Sequence, residues 1–146
     1  MSRAHDERNR ESLERLRRIV ERADDATLGI VLPGGWTVAA TLAHIGFWDQ
    51  SLLVRWDRHD RDGVLVSVPD DLDDLVNDSL APYLAAIPPR VAADLALRSM
   101  AAADARTAAL PDGSVALVRD RGEEHLLDRS EHRDHHAAEI EAALGG

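Results

Sequence analysis

Apolar residues recur at intervals of three and four along most of this chain, a spacing typical of amphipathic α-helices. In residues 6–26, for example, Leu13, Leu16 and Ile19 follow this spacing with charged residues between them. Clusters of proline and glycine interrupt the pattern and divide it into separate segments. The one stretch with extended character, residues 64–68, has no candidate partner strand, and we expect it to be a connection. The pattern therefore predicts an all-α fold.

Capping residues and helix breakers set the boundaries of the predicted helices. Thr37 is a natural N-cap for the second helix, and Pro82 predicts a kink or a split within the third. Residues 115–121 are expected to be irregular. We expect residues 1–146 to form a single domain, a bundle of four main helices. The predicted helical segments are residues 6–26, 37–59, 70–88, 89–110 and 122–144.

The composition excludes several kinds of chemistry. The chain has no cysteine, which excludes disulfides, thiolate metal ligands and a cysteine nucleophile, and it has no lysine, which excludes Schiff-base catalysis. Its formal net charge of −10 argues against a nucleic-acid partner, which requires clustered cations. No apolar run approaches the roughly 20 residues of a transmembrane helix, and the N-terminus lacks the apolar core of a signal peptide. We therefore expect a cytoplasmic protein without a membrane partner.

Two histidines near the end of the chain, His132 and His136, lie four residues apart in a helical segment. This spacing places both imidazoles on one helix face, about 5–6 Å apart at Cβ, where both can bind one metal ion. A third histidine, His44, lies on the second predicted helix. The helical wheel places all three at the edge of an apolar stripe, whereas His135 points into solvent. A local pair with one distant histidine is the usual design of a three-ligand metal site with an open position.

The same spacing has an explanation without a metal. Seven histidines in 146 residues produce such a pair by chance fairly often, and a histidine on a helix flank is more often structural than a ligand. His125 falls on the same face of the last predicted helix, but it lies two turns from His132, about 10 Å along the axis. We therefore treat His125 as a neighbour of the site or a substitute ligand, and not as a fourth ligand by default.

Three further residues of the second helix are candidates for the surroundings of a metal. Trp48 and Arg55 share the flank of the histidine, so that Trp48 could line a cleft and Arg55 could bind a carboxylate of a ligand. Core packing of Trp48 and solvent exposure of Arg55 are the simpler expectations. Asp49 lies near the centre of the stripe, either close to the ligands or as a buried carboxylate paired with a cation. Glu139 either orients a histidine or belongs to a solvated helix face. No catalytic residue is assigned.

Three motifs in the chain resemble those of the DinB-like superfamily: WTVAATLAHIGFWD at residues 36–49, VNDSL at 76–80 and HRDHHAAEI at 132–140. Their order and separations fit over essentially the whole length. The resemblance implies a four-helix bundle in up-down-down-up arrangement, commonly a homodimer. It also implies a divalent metal, Zn²⁺ or Ni²⁺, bound by one histidine of the second helix and a pair on the last helix. The positions that match are His44, His132 and His136.

Some members of that superfamily are thiol-dependent transferases or isomerases that use mycothiol, bacillithiol or glutathione. The mycothiol-dependent maleylpyruvate isomerases have glutamate at the position of His132 and an additional C-terminal domain, so their particular reaction is not expected here. The resemblance implies a metal-dependent S-transferase or isomerase that acts on a small molecule with a low-molecular-weight thiol. The alternative is a non-catalytic metal-binding protein, such as a stress-related dimeric bundle.

Overall fold

The computed structural model of the protein describes residues 2–145, and within this range the chain is helical with short connections. The predicted all-α class is confirmed. Among residues 2–145, no helix has both the length and the apolar character needed to cross a membrane. The helices are α1 (Ala4–Arg22), α2 (Asp25–Leu28), α3 (Val38–Asp62), α4 (Asp70–Ala86), α5 (Pro89–Ala108), α6 (Asp112–Asp120) and α7 (Ser130–Ala143), with a 3₁₀ turn at Glu124–Leu126 before α7.

Four of the long helices pack side by side into a bundle. Helix α3 lies against α5, α1 lies against α5 and α7, and α7 completes the bundle against α3. Helix α4 packs mainly on the outer side of α3 and buries one residue, Leu84, in its whole length. The apolar faces of α1, α3, α5 and α7 meet in the main core, and a second core forms around the buried Trp56 of α3.

A glycine allows α3 and α5 to approach each other closely. A Cβ atom added at Gly46 would lie 2.7 Å from the Cα atom of Ala96, which is shorter than a normal carbon–carbon contact. The facing side of α5 is lined with alanines, so the two helix backbones meet with little side-chain volume between them. This contact fixes the position of the α3 segment that carries His44.

Several predicted boundaries need correction. The predicted split at Pro82 is wrong, because α4 continues through this proline, which removes one backbone donor from an otherwise hydrogen-bonded helix. Residues 115–121 are not irregular: most of them lie in α6, where Val115 and Val118 enter the second core. The connection at residues 64–68 has no helix or strand, as predicted, and Thr37 caps α3 by accepting a hydrogen bond from the Ala40 N–H at 3.0 Å.

The last helix begins at Ser130 and not at residue 122. Its start is fixed from α1 by Asn9, which is fully buried. The Asn9 amide donates to the Leu127 carbonyl at 2.8 Å, and its side-chain oxygen accepts from the Arg129 N–H at 2.7 Å. These two bonds satisfy backbone groups that no helix could satisfy here, so the chain turns into α7 at a defined place.

A buried network of charges connects α7 to the rest of the bundle. The Asp49 carboxylate of α3 accepts from Arg129 Nε at 2.7 Å and from Arg133 Nη2 at 2.8 Å. Arg133 also donates to the Asp104 carboxylate of α5 at 2.7 Å and to the Asn9 carbonyl of α1 at 2.9 Å. Both Asp49 and Arg133 have no solvent exposure. One side chain of α7 therefore binds three neighbouring helices.

We predict that Asp49→Ala lowers the free energy of unfolding by about 3–5 kcal/mol, because it leaves the buried guanidinium groups of Arg129 and Arg133 without their shared anion. Urea denaturation followed by circular dichroism measures the change. Asp112→Ala is the matched control, since this carboxylate is 72% exposed in its ion pair with Arg3. The control should cost less than about 1 kcal/mol. Equal losses in the two variants would contradict the assigned role of the network.

Candidate metal centre

Three histidine rings from two helices meet at one end of the bundle. His44 lies in the second turn of α3, and His132 and His136 lie one turn apart on α7. The ring centroids are 5.0 Å apart for His44 and His132, 5.0 Å for His44 and His136, and 4.9 Å for His132 and His136. The ring planes are inclined to one another by 76–86°. The three rings therefore surround a common point at nearly equal distances from one another.

The ligand atoms of these rings are close enough to share one ion. One nitrogen from each ring lies within 4.8 Å of the other two, and the Nε2 atoms of His44 and His132 are 3.1 Å apart. Two nitrogens bound to one tetrahedral Zn²⁺ at about 2.0–2.1 Å lie about 3.3–3.4 Å apart. The observed spacing fits a shared divalent ion after small side-chain adjustments.

The outward nitrogens of these rings differ in their surroundings. The Nδ1 atoms of all three rings are buried, and none of them forms a hydrogen bond of good geometry with residues 2–145. The Nδ1 atom of His136 lies 3.1 Å from the Glu139 carboxylate, which would leave Nε2 of this ring for a metal. Carboxylates in this position commonly orient a metal-bound histidine. Glu139 therefore has the position of an orienting group, although it also contacts the exposed His135 at 2.9 Å.

Burial keeps the three imidazoles neutral. It lowers the pKa of His44 to about 4 and that of His132 to about 2, with smaller contributions from neighbouring cationic groups. Burial also lowers the pKa of His136, and the Glu139 carboxylate opposes this effect. A neutral imidazole offers a lone pair to a metal, whereas an imidazolium does not. The residues present therefore have the protonation state that a divalent metal requires.

Aromatic side chains and an amide form the walls around the histidines. Trp36 contacts the His44 ring edge to face, with a centroid distance of 5.0 Å. Trp48, one turn after His44, donates its indole N–H to the Asn77 side-chain oxygen of α4 at 2.8 Å. Trp48 and Asn77 both line a cavity of about 460 Å³ that opens beside the three rings. Trp48 therefore lines the cleft, in preference to the simpler expectation of core packing.

The other sequence candidates have different positions. Asp49 is fully buried in the charge network and does not line the cavity. Arg55 lines the cavity and is only 8% exposed, so the expectation of an exposed arginine is wrong. His125 also lines the cavity, but from the 3₁₀ turn, because the last helix starts later than predicted. His135 lies at the rim with 70% of its side chain exposed, which agrees with the wheel.

Sequence reasoning missed the arginines that hold the site in place. Arg133 lies on the buried face of α7 with Ala137 and Ile140, at the i, i+4 and i+7 positions of the apolar stripe. Asp49 likewise occupies the apolar stripe of α3. Charged residues of opposite sign at core positions of two helices are a signal for a buried ion pair, and this signal was present in the sequence.

Comparison with protein families agrees with the geometry. The model of the DinB superfamily matches residues 8–144, which is nearly the whole chain and includes all three histidines. Comparisons with curated proteins and with solved structures find no match. The three-histidine group is also the arrangement that the resemblance to this superfamily implies. The chain belongs to the DinB superfamily.

Proposed function

We propose that this protein is a divalent-metal-dependent enzyme that transfers or isomerises a small molecule with the help of a low-molecular-weight thiol. The observation that supports it is the convergence of one buried and two half-buried imidazoles, all with lowered pKa, on one point beside a cavity. The cavity volume of about 460 Å³ falls within the range of small-molecule sites. A purely structural histidine cluster has no need of such an opening.

The residues of the chain have distinct roles in this proposal. His44, His132 and His136 bind the metal, Zn²⁺ or Ni²⁺, and Glu139 holds the His136 ring. Three ligands leave one coordination position toward the cavity. A divalent ion bound there would supply Lewis acidity and lower the pKa of a thiol or a water in that position. Trp36 and Trp48 limit the access of bulk water to the histidines.

A thiol cosubstrate is favoured because the cavity lacks an activated nucleophile of its own. The chain has neither cysteine nor lysine. The hydroxyl of Ser51 lines the cavity, but it donates to the Trp48 carbonyl at 2.7 Å and not to a base. A nucleophile for group transfer would therefore enter with a ligand, and a thiol is a good partner for a site of soft-to-borderline character.

We predict that protein purified without a histidine tag binds about one equivalent of Zn²⁺ or Ni²⁺, as expected for one three-histidine site. His44→Ala, His132→Ala and His136→Ala should each reduce stoichiometric binding to below about 0.2 equivalents, because two imidazoles alone bind these ions weakly. His135→Ala is the matched control and should retain the metal. Metal analysis after reconstitution measures this. Equal loss in all four variants, or no uptake by the wild type, would overturn the proposed site.

We predict that the reconstituted protein shows metal-dependent turnover with a panel of low-molecular-weight thiols and electrophilic small molecules. Glutathione, bacillithiol and mycothiol are the thiols to test. In the Co²⁺-substituted protein, addition of the correct thiol should change the visible absorption spectrum, because the ligand enters the open position. Full metal occupancy without turnover and without any thiol-induced spectral change would favour the non-catalytic metal-binding alternative.

We predict that the metal-free protein loses stability as the pH falls from about 6.5 to about 4, the interval between the unfolded and folded pKa of His44. In this interval the unfolded chain binds more protons than the folded one, so acid favours unfolding. His44→Gln should reduce this slope by up to about 1.4 kcal/mol per pH unit, the effect of one proton. Urea denaturation at several pH values measures it, with His135→Gln as control. An unchanged slope in His44→Gln would contradict the buried neutral state.

A further inference from the structure

The cavity beside the histidines contains a cationic side chain without an anionic partner. Arg55 of α3 is 8% exposed, and its guanidinium has no hydrogen bond and no ion pair with any of residues 2–145. Its nitrogens are not among the fully enclosed polar atoms, and the side chain lines the cavity. A nearly buried guanidinium without an anionic partner loses part of its hydration, and no protein group compensates for that loss.

Neighbouring charges do not satisfy Arg55. Burial is the main cause that lowers its pKa, and the cationic Arg129 adds to the effect. Asp73 and Glu123 oppose it from a distance, but neither carboxylate forms an ion pair with Arg55. Arg129 is engaged with Asp49. A guanidinium remains charged at neutral pH even after a lowered pKa. The cavity wall therefore holds a guanidinium that no carboxylate of residues 2–145 binds directly.

The position of Arg55 relates it directly to the histidine group. His44, Trp48 and Arg55 lie at positions i, i+4 and i+11 of α3, so they follow one face of the helix along the cavity. The two ends of this row are about 16 Å apart along the helix axis. Arginine side chains on helices extend toward the N-terminal end, which here is the direction of His44. One small molecule can therefore reach both the histidine group and the guanidinium.

We propose that Arg55 is the binding site for a carboxylate carried by the small molecule or by the thiol that reacts at the histidine group. This inference rests on the proposed function for the assignment of the cavity as a substrate site. A carboxylate matches the planar fork of a guanidinium and can accept two parallel hydrogen bonds. A monoanion is favoured over a dianionic phosphate, because Asp70 and Asp73 of α4 also line the cavity and repel additional negative charge.

The direct test uses the metal-free protein and benzoate as a probe, so that its outcome does not depend on metal binding. Benzoate should shift the NMR signal of the Trp48 indole N–H, which lines the same cavity. Arg55→Met keeps the aliphatic stem and removes the charge, and it should weaken benzoate binding about ten-fold or more, the effect of lost charge-assisted hydrogen bonds. Arg98→Met, which changes an exposed arginine of α5, is the matched control and should bind benzoate like the wild type.

The probe series tests the ligand class. Benzyl alcohol should bind equally to wild type and Arg55→Met, and inorganic phosphate should bind to the wild type more weakly than benzoate. Benzoate affinity that is the same in wild type and Arg55→Met would overturn the proposal. Phosphate that binds more tightly than benzoate in an Arg55-dependent manner would overturn the assignment to a carboxylate.

Thermal unfolding separates a ligand-binding role from a structural one. Removal of an unpaired buried charge should raise the Tm of metal-free Arg55→Met by about 2–4 °C. Benzoate should then raise the Tm of the wild type and of Arg98→Met but not that of Arg55→Met, because a ligand stabilises only the protein that binds it. A lower Tm for Arg55→Met would show that Arg55 holds the fold, and would overturn the proposal.

The reconstituted protein identifies the source of the carboxylate. If the thiol carries it, glutathione should compete with benzoate, and Arg55→Met should weaken glutathione binding but not that of its diethyl ester. If the other reactant carries it, benzoate and glutathione should bind together. Both results support an Arg55 subsite. Arg55-dependent benzoate binding without any metal uptake would support the subsite and contradict the metal-dependent function. Metal uptake with benzoate binding that does not depend on Arg55 would support the metal site and contradict the subsite.

Discussion

The interaction between Asp49 and Arg133 connects the three-histidine group to the rest of the bundle. Both side chains are fully buried, and Arg133 also binds α1 and α5, so the guanidinium is held from three sides. Buried ion pairs add little net stability, because desolvation offsets much of their attraction. In this protein the ion pair instead fixes the position of α7. Arg133 follows His132 directly, so the rotation of α7 that satisfies Arg133 also turns His132 and His136 toward His44.

Local sequence patterns predicted what depends on local geometry. Thr37 begins α3 as its N-cap, and the four-residue spacing of His132 and His136 places both rings on one face. Contacts between residues far apart in the sequence account for the places where the prediction and the structure differ. Helix α7 begins at Ser130 because Asn9 of α1 binds the backbone there, and no pattern within residues 122–130 contains that information. The burial of Arg55 likewise depends on α4 and the 3₁₀ turn, which cover a helix flank that the wheel alone leaves open.

Two buried arginines of this protein differ in whether their guanidinium groups have hydrogen-bond and ion-pair partners. Arg133 has carboxylate, carbonyl and hydroxyl partners on three helices, and its energetic cost is offset within the fold. Arg55 is almost as buried but lacks such partners among residues 2–145. A nearly buried guanidinium that has no anionic partner calls for a specific reason. A ligand that supplies the missing anion is such a reason, and the cavity beside Arg55 provides the space for it.

Burial lowers the pKa of both the histidines and the arginine of this cavity, but it changes the charge state of only the histidines. It lowers the pKa of His44 to about 4, so this imidazole is neutral and can bind a metal at neutral pH. It also lowers the pKa of Arg55, but a guanidinium starts from a much higher value and keeps its charge. Burial therefore yields neutral metal ligands at one end of the cavity and a fixed cation at the other. In a chain of net charge −10, and beside Asp70 and Asp73 of the same cavity, Arg55 gives a carboxylate one specific point of attraction.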